Sequence, residues 1–236
     1  MYLRHGFSVM EIVPGIHQVD GVNGNAYVII RDGLIVIDTG ISGSGKTILS
    51  YIRDTLHREP AEIRTVILTH FHTDHIGGVR ALKEAAPSLK TAVHDADAGY
   101  VAGTMPLPRY PGFRGRILHL FVLLVPSFFL ADIVLKDGDR INGLTCIHLP
   151  GHTPGSIGLL DAASKTFFAG DTIRWDGRAL FEAPAGFTMD VPRSRESIRK
   201  IASLEFDTLL TGHGKPLRPD AAVKVGEFTR SLPVLR

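Results

Sequence analysis

At 236 residues, with 44% hydrophobic content and a formal net charge of +2, the chain can bury a sizeable core and has no charge bias that names a partner. No dense Lys/Arg run marks a nucleic-acid face. The single cysteine, Cys146, excludes both an internal disulfide framework and a thiolate metal cluster. Residues 1–11 hold Arg4 and His5 but no apolar stretch of secretory length, which predicts a cytoplasmic protein.

In chain order, residues 26–31 and 34–38 are β-branched runs separated by Asp32-Gly33, the pattern of a β-hairpin. A glycine-rich loop at 40–45 leads into a helix over 46–57, with Ile48, Leu49, Ile52 and Leu56 on one face. A buried strand is predicted at 65–68 and a helix at 75–86, stopped ahead of Pro87 because the residue before a proline disfavours helical geometry. Residues 91–94 read as a strand and 104–116, rich in proline and glycine, as a loop. Strands follow at 144–149, 156–160 and 166–169, then a helix at 195–204, a strand at 208–210 and a closing helix at 221–231. Strands and helices repeated in two halves suit two sheets packed face to face with helices outside, in one domain spanning 1–236.

Residues 117–131 (ILHLFVLLVPSFFLA) are almost wholly apolar. With His119 and Pro126 inside, they fall short of the roughly 20 residues that a membrane-spanning helix needs. The expectation is a buried or lid helix within an insert at 104–131. A dimer face, a greasy substrate channel and a shallow membrane contact are the competing readings.

The chemistry concentrates just after predicted strands. Thr69-His70-Phe71-His72-Thr73-Asp74-His75 places four ligand-type side chains in six residues. Alternating histidines let two imidazoles approach one ion, while Asp74 and His75 are displaced toward a neighbouring one. Imidazole and carboxylate suit zinc and leave room for iron or manganese. His152 lies in a PGHTPG turn, Asp171 in an AGDT turn and His213 in a GHG turn, each flanked by small residues that let backbone approach an ion. One such histidine alone is as often structural as functional, but independent coincidences multiply against seven in register.

Together with Ile37-Asp38-Thr39-Gly40, these motifs resemble the ordered motifs of the metallo-β-lactamase superfamily, running from residue 38 to 213. The resemblance implies a four-layer αββα sandwich of α/β (α+β) class, with two divalent metal ions at one sheet edge. It implies His70, His72 and His152 as ligands of one ion, Asp74, His75 and His213 as ligands of the other, and Asp171 as the bridge. Asp38 resembles a carboxylate that orients a ligating imidazole, and Asp74 a proton relay. Zinc is the first expectation for the metal, with iron or manganese as alternatives.

The implied activity is hydrolysis, a hydroxide bridging two ions attacking an ester, thioester or lactone carbonyl. Phosphodiesterase or β-lactamase chemistry on the same site is the alternative. An aspartate at 171 looks more like glyoxalase II, lactonases and phosphodiesterases than like zinc β-lactamases, which typically carry Cys or Ser there. A small-molecule substrate, hydrophobic in part, is expected. Nucleic acid and membrane are not expected as partners, and a homodimer through the apolar segment is a further expectation. Tyr110, His119, Arg174 and Trp175 are candidates to reach the substrate.

Two readings from other classes compete. A metal site kept as scaffold without turnover is one. The other is a nucleotide-binding module, because Gly40–Thr47 in sequence, GISGSGKT, fits the phosphate-binding GxxxxGKT pattern between a strand and a helix.

Overall fold

A computed structural model describes residues 10–106 and 128–233. The predicted insert at 104–131, with Tyr110 and His119, lies largely outside them. Only residues 104–106 and 128–131 of it are described, where Phe128 and Leu130 are exposed while Phe129 and Ala131 pack against the core.

Fourteen strands and six α-helices are described. They are β1 (Glu11–Val13), β2 (Ile16–Gln18), β3 (Tyr27–Ile30), β4 (Leu34–Ile37), α1 (Ser44–Ser50), β5 (Ile63–Ile67), α2 (Thr73–Ile76), α3 (Val79–Ala85), β6 (Lys90–His94), α4 (Asp95–Val101), β7 (Ile133–Leu135), β8 (Arg140–Ile141), β9 (Leu144–His148), β10 (Ile157–Asp161), β11 (Thr166–Gly170), β12 (Ile173–Trp175), β13 (Leu180–Glu182), α5 (Val191–Ile201), β14 (Thr208–Thr211) and α6 (Ala221–Ser231). Strands β1 to β7 form one sheet in sequence order. Its first four strands are antiparallel neighbours and β4 to β7 run parallel. A second sheet has the order β14-β11-β10-β9-β8, and β12–β13 is a separate hairpin.

Period-two alternation sorts the side chains into layers. Tyr27, Ile29, Ile35, Ile37 and Ile67 of the first sheet meet Cys146, Leu159, Phe168 and Leu210 of the second in a shared core. Their sequence neighbours Val28, Val36 and Val66 face the other way, onto Ile48 and Ile52 of the first helical layer and Val79 and Leu82 of α3. On the far side, Phe167, Ala169 and Leu209 pack against Ile198, Ile201 and Val225 of α5 and α6. The architecture is the expected α-β-β-α sandwich.

Several elements differ from expectation for identifiable reasons. The predicted helix over 75–86 is two helices, broken at Gly77 and Gly78. A side chain on Gly77 would lie 2.3 Å from the Ser42 nitrogen, and one on Gly78 2.5 Å from the Thr39 carbonyl, so the break lets the loop after β4 lie against this turn. Helix α1 begins at Ser44 and ends in a π-helical turn over Tyr51–Thr55. Helix α5 starts at Val191 because the Asp190 side chain accepts from the Arg193 N–H and Pro192 fits a first turn. Among the described residues, no helix is long and apolar enough to cross a membrane.

Phe168 is 1% exposed between the sheets, edge-on to Tyr27 with ring centroids 5.4 Å apart. Phe168→Ala should cost about 3–5 kcal/mol in a chemical denaturation; a loss under about 1 kcal/mol would mean that the sheets do not depend on this contact.

Candidate metal centre

The carboxyl ends of the parallel strands converge at one edge of the sandwich. Asp38 directly follows β4, and its φ of 56° turns it into the left-handed region. That costly conformation for a non-glycine residue accompanies a carboxylate aimed inward. Asp38 accepts from the Thr69 N–H (2.8 Å) and the Thr69 hydroxyl (2.7 Å), and pairs with His75 Nδ1 at 2.9 Å. The Thr69 hydroxyl also lies 3.0 Å from His70 Nδ1. These bonds engage the inner ring nitrogens and leave the Nε2 atoms of His70 and His75 toward the site, an arrangement typical of metal-binding imidazoles.

Beyond β5 the chain bends through residues 69–71 to an extended His72 and then enters α2, where Asp74 and His75 occupy consecutive helical positions and so face different directions. The other side chains arrive from the second sheet. His152 sits between β9 and β10, Asp171 just after β11, and His213 just after β14. Asn25, ahead of β3, reaches across: its side chain donates to the Thr211 carbonyl at 2.8 Å and the Gly214 carbonyl at 3.0 Å, fixing the His213 turn. Gly212 is obligatory there. An added Cβ would lie 2.1 Å from Asp171 Oδ1 and 2.8 Å from His75 Cε1.

All seven predicted ligand side chains are brought together. Three overlapping groups have ligand atoms within 4.8 Å of one another: His70, His72 and His152; Asp74, His75 and His213; and His70, His75 and Asp171. Asp171 touches both ends, with Oδ2 3.3 Å from His213 Nε2 and 3.9 Å from His152 Nε2, and Oδ1 3.5 Å from His75 Nε2. His72 Nδ1 and His152 Nε2 face each other at 2.9 Å.

The residues fit a pair of divalent cations on grounds of their own. The buried atoms His70 Nε2, His75 Nε2 and Asp171 Oδ1 have no hydrogen-bond partner, a cost that coordination removes. Burial holds the His72 and His152 imidazoles neutral, lowered to about 3 and about 4, and lowers His70 well below its ordinary value. Their lone pairs are therefore available. Burial also opposes charge on His75, yet Asp38, Asp74 and Asp171 raise it to about 10. Burial alone would raise the Asp74 and Asp171 carboxyls, but His75 and His213 hold both far below the carboxylate range. One end offers neutral imidazoles and the other concentrates negative charge, and a dication answers both.

Thr69, Thr188 (3.2 Å from His152 Nδ1) and Asn25 escaped the sequence reading, because a lone Thr or Asn beside a motif carries no periodic or spacing signal. Arg174 and Trp175, which the sequence did single out, line a pocket of about 330 Å3 together with His213, Phe181 and Pro184.

The GxxxxGKT loop is committed elsewhere. The Ile41 N–H donates to the Asn23 carbonyl, Ser44 to Ile41 and Lys46 to Gly43. A Cβ on Gly45 would lie 2.6 Å from the Gly78 carbonyl. Gly40 and Gly45 serve close packing, and these amides do not form a phosphate cradle.

A hydrolase-type metal site at the edge of an αββα sandwich defines the class of protein. The chain belongs to the metallo-β-lactamase superfamily, whose family model matches residues 19–213, and it is a hydrolase of that superfamily. Over 203 residues it is 29% identical to the Bos taurus protein named acyl-coenzyme A thioesterase MBLAC2, covering 76% of this chain and 68% of that one. It is 26% identical over 230 residues to the Haemophilus influenzae hydroxyacylglutathione hydrolase GloC, covering 96% and 97%. A solved structure of TTHA1623 in a di-iron-bound form superposes with a TM-score of 0.66 at 24% identity, covering 92% of this chain and 98% of that one, a likeness of fold.

Asp38→Asn supplies an amide where three donors converge. It should weaken metal binding by about 10- to 100-fold, read as zinc retained after dialysis against graded chelator. Unchanged retention would remove Asp38 from the metal centre.

Proposed function

We propose that the protein is a binuclear metal-dependent hydrolase acting on acyl thioesters whose thiol carrier bears an anionic group. The observation that carries the metal assignment is the convergence of two ligand clusters on one shared carboxylate, with buried ligand atoms that no hydrogen bond satisfies. In this reading His70, His72 and His152 would hold one ion and Asp74, His75 and His213 the second, with Asp171 shared between the two groups. Two divalent cations held there, zinc first and iron or manganese next, would supply Lewis acidity and lower the pKa of bound water toward neutral pH.

The chain's own groups then have separable tasks. Asp38 and Thr69 orient the imidazoles of His75 and His70. Asp74 is the most solvent-open of the clustered carboxylates, its side chain 35% exposed against 8% for Asp171. Its Oδ2 lies 3.1 Å from His213 Nε2, and in this reading the Asp74 carboxylate would relay a proton from water to the leaving thiolate.

The pocket beside His213 supports the substrate class. Arg174 is half-buried and has no ion-pair partner among the described residues. A partly desolvated, unpaired guanidinium beside Trp175 and Phe181 suits a carboxylate or phosphate attached to an apolar or planar body. Acyl-coenzyme A and hydroxyacylglutathione, the substrates in the two relatives' names, are thioesters of such carriers, and that is the reason to rank thioesters above lactones, simple esters, phosphodiesters and β-lactams.

Zinc- and manganese-loaded protein should hydrolyse an anionic-carrier thioester faster than an aryl ester, a lactone, a phosphodiester or a β-lactam, with activity lost in chelator and restored by metal. Arg174→Ala should lower kcat/KM by about 10- to 100-fold for the anionic-carrier thioester, the scale of one charge-assisted contact, and leave a neutral-thiol thioester unchanged. Faster phosphodiester turnover would keep the metal site and overturn the substrate. Absence of turnover on the whole set, with two ions bound, would overturn the hydrolase mechanism in favour of a scaffold.

A further inference from the structure

Helix α4 was not foreseen from the sequence, and it carries a carboxylate that ties together the two loops supplying the three-histidine cluster. Asp97, in its first turn, is fully buried. Its Oδ2 accepts from the Phe71 N–H at 3.1 Å and from the Thr153 hydroxyl at 2.7 Å. Its Oδ1 accepts from the Gly155 N–H at 2.6 Å. Phe71 lies between His70 and His72, and Thr153 directly follows His152, so one side chain holds the residues beside all three imidazoles, through the Phe71 and Gly155 N–H groups and the Thr153 hydroxyl.

The rest of the helix repeats the contact. Tyr100, one turn further on, stacks on Phe71 with ring centroids 4.4 Å apart and planes 14° from parallel. A Cβ on Gly155 would lie 2.5 Å from the Asp97 nitrogen, so the His152 loop presses directly on α4. Burial pushes the Asp97 carboxyl up to about 6. A buried acid is expensive unless its hydrogen bonds are made, and here every one goes to a histidine-bearing loop. Among the described residues no hydrogen bond of Asp97 goes to Asp74, His75, His213 or a residue next to them, and those three are braced instead by Asp38, Thr39 and Asn25.

We infer that Asp97 is a positioning residue for the His70–His72–His152 cluster, setting the spacing of two loops that meet across the sandwich and thereby the affinity of that cluster alone for a divalent cation. This rests on the ligand assignment proposed above. A residue that merely stabilised the fold would affect both clusters alike.

The test isolates each cluster and measures zinc affinity by competition with a chromophoric chelator. In a His213→Ala background, which leaves the three-histidine cluster intact, adding Asp97→Asn should weaken the remaining zinc by about 10- to 100-fold. In a His72→Ala background, which leaves the other cluster, the same change should alter zinc affinity by less than about twofold. Loss in neither background, or equal loss in both, overturns the inference. If His213→Ala alone already abolishes all zinc binding, the two-cluster assignment itself fails, and that is read before Asp97 is touched. Should Asp97→Asn not fold, Thr153→Val removes one donor to the carboxylate and leaves the acid in place. It must show a smaller loss in the His213→Ala background only; no difference between backgrounds overturns the inference equally.

Discussion

Burying lone pairs and carboxylates at one point is the constraint on which this structure turns. Seven side chains of ligand type converge within a few ångströms, most of them out of water. Such a gathering is repulsive at one end and undersatisfied at the other unless positive charge is supplied. The surrounding fold reads as machinery for holding that gathering together. Asp38 accepts a left-handed backbone to deliver its carboxylate to Thr69 and His75. Gly212 gives up a side chain so that Asp171 can occupy the space. Asn25 crosses from the first sheet to anchor the turn that presents His213.

These supports come from both sheets, which is why the sandwich must be well packed before the site can work. The first sheet ends in Asp38 and the His70–His75 segment; the second ends in His152, Asp171 and His213. Neither sheet holds a complete cluster. The shared core of Tyr27, Ile37, Ile67, Phe168 and Leu210 sets the distance between them. A shift of about an ångström between the sheets would separate Asp171 from His75 and leave buried charge without a partner.

Much of this was legible in the sequence because metal chemistry leaves a dense local signature. Four ligand-type side chains within residues 70–75, with three glycine-flanked turns further on, form a pattern that core packing rarely demands, and the structure does bring all seven ligand positions together. Asp32-Gly33 announced the β3–β4 hairpin through the positive φ that glycine allows. Where expectation failed, the deciding force was tertiary. The periodicity over 75–86 is continuous in sequence, but packing of the loop after β4 against Gly77 and Gly78 breaks the helix in two. Strands β1 and β2 are three residues each, too short for alternation to register. The signals for the true start of α5, a capping Asp190 followed by Pro192, were present and local, and helical spacing further along outweighed them.

Supports such as Thr69, Asn25 and Thr188 were illegible for a different reason. Each acts through hydrogen bonds whose partners its sequence neighbours do not encode. Selectivity belongs to a third category. Among the described residues, the β12–β13 hairpin stands outside both larger sheets, its strands paired with each other and bridged to the second sheet's end between Trp175 and Gly214. It brings Arg174 and Trp175 to the edge of the metal centre without contributing to the core between the sheets. Residues on such an element can change without disturbing the core between the sheets, though Trp175 also meets the His213 turn through its bridge to Gly214. The fold thus separates the clustered strand ends, which both sheets hold in place, from an edge hairpin that the proposed function uses to recognise a carrier. On the proposed function, recognition of the substrate would be read from the hairpin, and the chemistry performed on it from the strand ends.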